Sequence, residues 1–450
     1  MKVLGTKLGL FFLIVNLPIN YGAGLILSLA ADHVEHGGNH EEYFGDAQRV
    51  TNTTASTRLV TETSSKRYDT LENSGYSDDG EEENASELEN IGPNIDSDTA
   101  TFDFVGMTAN IFNDPKTTRL VMTLYYVNIF LVMGNYIVVM SHAVIAMLDN
   151  GTNNDGIFSC TPIAGLLAST LMFSISQLRT MARLGRTASV VSLLSLSIVV
   201  AQCLFFAQQN GDTINKVGQF EDDVGGVRLY LRQLSALGSI GFAVGSQKLF
   251  LNIRHEFADR QNAPKSLAVS LTAFGSFYVF IVAMAGDNPP GFLFDTIPRG
   301  NINRQVAGFF LWVHVAVSYA INSQAICASM DRNFFSRWGP VRLWSDERRW
   351  TALTAIMAST AFFIANAVPF FKDLVAFCGA LTSVPLTLLL PAVFYRRTCE
   401  KVPVWYPGKG WASYLLLIFS SIFMVAATLG SVYSILSDWK HHSGGFFSCR

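Results

Sequence analysis

Charged residues are scarce in this sequence. Only 15% of its 450 residues are Asp, Glu, Lys or Arg, whereas 50% are hydrophobic. Soluble globular proteins carry about 25% charged residues, so the composition excludes an ordinary soluble domain. Several apolar runs are about 20 residues long or longer, which is the length that crosses a bilayer as a helix. The sequence therefore predicts an all-α polytopic membrane protein.

The sequence also lacks the patterns of a soluble active site. It has no glycine-rich nucleotide fingerprint and no nucleophile motif on an aqueous loop. Its six cysteines show no metal-ligand spacing, and we interpret all six as small core residues. We therefore predict no enzymatic activity, no resident cofactor and no metal site. The basic residues are explained by membrane topology, so no nucleic-acid partner is expected.

Ten apolar runs predict ten spans in contact with the lipid bilayer. They cover residues 8–31, 117–148, 161–177, 188–207, 229–251, 266–286, 305–330, 350–368, 374–394 and 411–436. The first run also resembles a signal peptide, but its apolar part is longer than a typical one. We assign residues 1–31 to a first span, 117–437 to a membrane transport domain and 438–450 to a polar tail.

Residues 32–116 differ from the rest of the chain because Gly, Ser, Thr, Asn and acidic residues dominate them. Such a segment cannot bury a core, so we predict a largely disordered insert that could bind cytoplasmic partners. Its end, residues 101–107, regains aromatic side chains and is expected to pack against the membrane domain.

Basic residues fall in alternate loops and predict the orientation of the chain. The positive-inside rule places these loops in the cytoplasm. By parity, the acidic insert is also cytoplasmic, and residue 1 and the tail lie outside. The basic set comprises Arg179, Arg183, Arg186, Arg254, Arg260, Lys265, Arg332, Arg337, Arg342, Arg348, Arg349, Arg396, Arg397, Lys401 and Lys409.

The span at residues 229–251 carries Gly238, Gly241 and Gly245, followed by polar residues up to Lys248. Each glycine weakens a helix by roughly 1 kcal/mol relative to alanine, and a lysine at membrane depth costs about 2.5–3.5 kcal/mol. The pattern predicts a helix that is broken near the midplane and offers its backbone to a ligand. A close helix–helix contact through small residues is the alternative.

Five stretches of the chain, in order, carry a resemblance to one family. Residues 242–271 read FAVGSQKLFLNIRHEFADRQNAPKSLAVSL, and residues 286–297 read GDNPPGFLFDTI. The other three stretches are residues 103–112, 174–198 and 374–395. Together they resemble the amino acid/auxin permease family, the amino acid transporter transmembrane domain. This likeness covers nearly all of the chain except the acidic insert.

The resemblance implies a five-plus-five inverted-repeat (LeuT-like) transporter fold in which helices one and six are unwound at the centre. It also implies secondary active symport of a small-molecule amino acid, coupled to H⁺ or Na⁺. The plasma membrane or a vacuolar or endolysosomal membrane is the expected location. Residues 8–31 resemble helix two, so helix one has no counterpart, and we expect the chain as written to be poorly stable and inactive. A non-transporting membrane amino-acid sensor or scaffold is the alternative.

The same resemblance implies which residues form the site. Asn252 stands where members commonly carry Glu. For the two histidines in the spans, a neutral side chain hydrogen-bonded within the bundle is the alternative to ion coupling. Lys248 could pair with a carboxylate, but snorkelling toward the cytoplasm is favoured. The predicted substrate-binding residues are Phe242, Ala243, Val244, Gly245, Ser246, Gln247, Ser318 and Asn322, and the predicted proton- or ion-coupling residues are His142 and His314.

Overall fold

The computed structural model describes residues 4–35, 102–149, 160–178, 181–209, 226–285, 290–335, 343–367, 371–399, 409–441 and 447. Residues 36–101 of the acidic insert lie outside this set, so the prediction of disorder there is not tested. Within the described ranges all regular secondary structure is helical.

The helices follow the predicted apolar runs. Eight are long and apolar enough to cross a membrane, or nine if one bent pair counts as a span, and α4 is a shorter apolar helix. The prediction of an all-α polytopic membrane protein is confirmed. The helices are α1 (Thr6–Glu35), α2 (Phe104–Phe112), α3 (Pro115–Leu148), α4 (Thr161–Ile175), α5 (Met181–Gln209), α6 (Gly226–Val244), α7 (Phe250–His255), α8 (Ala263–Ala285), α9 (Ile302–Met330), α10 (Asp346–Ala367), α11 (Phe371–Cys378), α12 (Leu390–Cys399) and α13 (Lys409–His441).

Two aspartates set where α2 and α3 begin. Asp103 caps α2 by accepting a hydrogen bond from the backbone nitrogen of Gly106 at 2.8 Å. Asp114 caps α3 and accepts from the backbone nitrogens of Lys116 and Thr117. Because an N-cap carboxylate satisfies donors that have no partner inside the helix, α3 begins at Pro115, two residues before the start of its apolar run.

The first helix continues to Glu35, past the predicted end of the span at residue 31. Its last turn carries Asp32 and Glu35, which pair with Arg254 at the end of α7. The Arg254 guanidinium lies 2.5 Å from Asp32 Oδ1 and 2.6 Å from Glu35 Oε1, and its side chain is only 1% exposed. This ion-pair network joins the first helix to the end of the broken span.

The span from Phe371 to Cys399 is not a regular α-helix. Two π-helical stretches, Gly379–Ser383 and Pro385–Leu389, lie between α11 and α12. We name the residues 379–389 the π segment. Extra residues inserted into a helix are frequent at functional sites. The sequence predicted an uninterrupted span here.

The aromatic end of the insert packs against the membrane helices, as expected. The Phe104 ring centroid lies 5.9 Å from that of Tyr125 on α3 and 6.1 Å from that of Phe394 on α12. Phe102 makes an edge contact with His255 of α7, with centroids 5.2 Å apart. The insert therefore ends in a short helix that is fixed to the bundle.

The four cysteines whose side chains the structure describes are buried, as interpreted. Cys203, Cys327 and Cys378 are buried and free, but Cys160, the N-cap of α4, is bonded in a disulfide. Disulfides persist in oxidising compartments. The basic loops predict that this end of α4 lies outside the cytosol, where a disulfide can persist.

Candidate functional site

The predicted break lies between α6 and α7. The α-helix ends at Val244, and Gly245 adopts φ −75° and ψ 61°, outside the helical range. One 3₁₀ turn follows at Ser246–Leu249, and α7 resumes at Phe250. The two helical pieces are bent by 44° relative to each other.

The three glycines of this span serve two purposes. A Cβ on Gly238 would collide with the Ala376 carbonyl oxygen, and one on Gly241 would lie 2.8 Å from Val384 Cγ2. These two glycines allow a close helix–helix approach, which was the alternative interpretation. Gly245 alone lies at the break. A Cβ there would meet the Gly241 carbonyl oxygen at 2.6 Å and Thr387 Cγ2 at 3.3 Å.

The end of α6 supplies backbone groups to the break. The last four carbonyls of an α-helix have no donor within the helix and carry the negative end of its dipole. In α6 these carbonyls include those of Phe242, Ala243 and Val244. Ala243 is exposed, Phe242 is partly buried and Val244 is buried. This edge of the break is suited to a positively charged group such as an ammonium.

Gln247 connects the 3₁₀ turn to the first helix. Its side chain is fully buried, and Nε2 donates a hydrogen bond to the Asn20 carbonyl oxygen at 2.5 Å. Oε1 accepts no hydrogen bond within the described part of the chain. The amide therefore makes an interhelical contact and retains one free acceptor. Nothing is described of the Ser246 side chain.

Lys248 does not snorkel toward the cytoplasm, so that expectation is wrong. Its Nζ lies 4.6 Å from the centroid of the Phe242 ring, so the side chain points back toward the break. A cation–π contact contributes about 0.5–2 kcal/mol, less than the about 2.5–3.5 kcal/mol that a charged lysine costs at membrane depth. The ring contact alone therefore leaves part of this cost uncompensated.

The sequence did not predict the polar cluster on the π segment. The Asn128 amide nitrogen donates to Thr382 Oγ1 at 2.7 Å and to Ser383 Oγ at 2.9 Å, and it lies 3.7 Å from Cys378 Sγ. Asn128 is fully buried on α3. The sequence signal for this cluster is an asparagine within one span and two adjacent hydroxyl residues before Pro385 in another span.

Ser318 and Asn322 lie on the same side of α9, as predicted. The Asn322 amide nitrogen donates to the Tyr136 hydroxyl at 3.2 Å and to the Ser318 carbonyl at 2.8 Å. The Ser318 hydroxyl donates to the His314 carbonyl at 3.1 Å. These polar contacts connect α9 to α3, so any contribution of the pair to a ligand stays a prediction.

The two histidines contact different neighbours. His314 Nδ1 lies 2.8 Å from Ser192 Oγ, at the contact between α9 and α5. His142 packs near Phe292, with ring centroids 6.0 Å apart, in the segment that precedes α9. His314 is thus hydrogen-bonded within the helix bundle, as in the alternative to ion coupling. A coupling role for either stays a prediction.

Comparison with known proteins gives consistent matches. The profile of a family described as transmembrane amino acid transporter protein matches residues 92–437. Lysine histidine transporter-like 3 of Arabidopsis thaliana is 24% identical over 221 residues, covering 46% of this chain and 47% of the relative. Amino acid permease 3 of the same plant is 25% identical over 241 residues, covering 47% and 49%. The chain spans about half the length of the curated relatives it matches.

Among solved structures, the crystal structure of MhsT in complex with L-phenylalanine is similar to this chain. The TM-score is 0.46 at 15% identity, with 76% of this chain and 85% of that chain covered.

Proposed function

The chain belongs to the transmembrane amino acid transporter family, and from that premise we propose that it moves amino acids across a membrane by H⁺- or Na⁺-coupled symport. The family consists of transporters, so the chain is not an enzyme. It is an integral multi-pass membrane protein, and we propose that its spans follow the LeuT-like arrangement that the family resemblance implies. The plasma membrane or a vacuolar or endolysosomal membrane is its proposed location.

The broken span is the observation that carries the proposal. We infer that the substrate ammonium binds at the carbonyl end of α6, at residues 242–244, where the helix dipole is negative. Because Gly245 has no side chain, the Gly241 carbonyl oxygen and Thr387 can lie close beside this edge. Broken helices at the midplane are how many secondary transporters form their substrate sites.

Alternating access requires that one side of the site closes while the other opens. On the α7 side of the break, the Tyr125 hydroxyl donates to Asn252 Oδ1 at 3.1 Å, and Phe102 contacts His255. We infer that these contacts close the cytoplasmic path and separate when the substrate is released. These contacts join α3 and the end of the insert to the broken span. They must therefore break when the span moves relative to α3.

Two further features have proposed roles, the histidines within the spans and the acidic insert. We propose His142 and His314 as the coupling residues. Each is replaced singly by glutamine, and the variants are tested for loss of pH-dependent uptake. The acidic insert is proposed to bind cytoplasmic partners.

The test is uptake of radiolabelled amino acids by the purified chain in proteoliposomes. Imposed H⁺ and Na⁺ gradients should each be compared with no gradient and with empty liposomes. Accumulation that one of the gradients drives and an ionophore abolishes would support the proposed transport and would overturn the expectation that the chain as written is inactive. If no amino acid accumulates, and none shifts the thermal stability of the protein, the proposed function is wrong.

A further inference from the structure

Lys248 lies in the 3₁₀ turn at the break of the span. No carboxylate in the described part of the chain lies within ion-pair distance of its ammonium. The Phe242 ring, 4.6 Å away, is its described neighbour on the α6 side. The side chain is only partly buried.

The basic residue at the end of the same span has acidic partners. Arg254, six residues further along, is buried with two carboxylates, Asp32 and Glu35. Within the described ranges the chain therefore provides acidic partners for the cation at the end of the span and none for the cation at the break. An unpaired ammonium within a span is unfavourable unless a ligand or water compensates it.

A polar cluster lies at the start of the π segment. Cys378 lies within 3.7 Å of both the Asn128 amide nitrogen and Thr382 Oγ1. Ser383 belongs to the same cluster, and the 3₁₀ turn that carries Lys248 packs against the π segment. The Asn128 amide and the Thr382 hydroxyl donate within the chain. Among these groups the Lys248 ammonium is therefore the one available to a carboxylate, which is purely an acceptor.

We propose that Lys248 pairs with the side-chain carboxylate of the substrate, so that this site selects dicarboxylic amino acids. The inference rests on the proposed transport function and names its substrate class. The substrate ammonium would lie at the carbonyl end of α6, and the side-chain carboxylate would reach toward Lys248. The two ends of such a ligand thus meet charges of opposite sign, the α6 carbonyls and the Lys248 ammonium.

The charges of the complex set the order of preference. A dicarboxylic amino acid has a net charge of −1 and neutralises the Lys248 charge. A neutral amino acid leaves one positive charge uncompensated, and a basic one adds a second. Because charges interact more strongly away from water, the site should prefer aspartate and glutamate, then their amides, and should take lysine and arginine last.

The experiment compares competitors in proteoliposomes that contain the whole chain. Uptake inhibition by aspartate, glutamate, asparagine, glutamine and lysine is measured for the wild type, Lys248→Met and Lys248→Arg. Lys265→Met is the matched control, because Lys265 is exposed and makes one hydrogen bond, to Asn262. Size-exclusion profiles and thermal melts confirm that each variant is folded, and Lys248→Gln replaces Lys248→Met if that variant misfolds.

The wild type should bind the acidic amino acids about tenfold or more tightly than their amides, in line with a single charge pair. Lys248→Met should lose this preference while the amides change less than about threefold. Lys248→Arg should keep part of it, and Lys265→Met all of it. Uptake without an acidic preference, or a preference that survives Lys248→Met, would overturn the inference while leaving the proposed function intact. Absence of any uptake would overturn both.

Discussion

The backbones of Gly238 and Gly379 touch: a Cβ on Gly379 would fall against the Gly238 carbonyl oxygen. The backbones of α6 and the π segment are therefore in direct contact at these two glycines. The π segment therefore lies directly behind the break in the span, and the polar cluster around Thr382 is part of the same region. The position of the site depends on this glycine pair as well as on Gly245.

Gly379→Ala should therefore destabilise the protein. Its methyl group would overlap backbone atoms, which cannot move away as a flexible side chain can, so we expect a loss of about 1–3 kcal/mol or more. Thermal melts in detergent measure the loss. Gly22→Ala is the matched control, because nothing lies within 4 Å of a Cβ there. Equal stability of the two variants would show that α6 and the π segment are not in close contact.

Gly245→Ala should impair substrate binding more than it impairs folding. The added methyl group would lie 2.6 Å from the Gly241 carbonyl oxygen, so the break must shift by several tenths of an ångström. We expect uptake to fall by about tenfold or more, since a small misplacement at a binding site costs this much, and Gly245→Leu should abolish binding while the chain still folds. Wild-type uptake by either variant would mean that Gly245 only serves packing.

Arg254→Met should destabilise the protein strongly. The change leaves Asp32 and Glu35 without their buried partner, and breaking a buried ion pair in this way costs about 3–5 kcal/mol. The loss should be visible as a lower melting temperature. Arg348→Met, at an exposed position on α10, should have almost no effect. Replacing Asp32 and Glu35 by their amides in the Arg254→Met background should recover stability, and failure to do so would contradict the network.

The Cys160 disulfide tests the orientation of the chain. In sealed right-side-out membranes, a membrane-impermeant maleimide should label Cys160 only after an impermeant reductant has been added. The buried cysteines Cys203, Cys327 and Cys378 serve as internal controls and should stay unlabelled. Labelling of Cys160 only after the membranes are permeabilised would reverse the assigned orientation.

The sequence was sufficient for the features that depend on composition over many residues. Apolar length predicted the spans, and the glycines before Lys248 predicted the break. It did not predict the π segment, because extra residues within a helical turn leave an apolar run unchanged. It also could not separate the packing role of Gly238 from the role of Gly245, since both are glycines within one run and only their neighbours differ.

Side-chain direction was the second limit. Lys248 was expected to extend toward the cytoplasm, and it turns toward Phe242 instead. The choice depends on which partners the fold brings near the ammonium, and these come from distant parts of the chain. The same reason applies to Asn128, whose partners lie more than 250 residues away on the π segment.

The central claim is that the substrate binds at the break, and Ala243 allows the most direct measurement. Its side chain is exposed at the end of α6, and the three described free cysteines are buried. A thiol introduced by Ala243→Cys should react with a small aqueous maleimide, and a transported amino acid should slow this reaction in a concentration-dependent manner. The half-protecting concentration should match the half-saturating concentration for uptake. A labelling rate that no transported amino acid changes would contradict the claim.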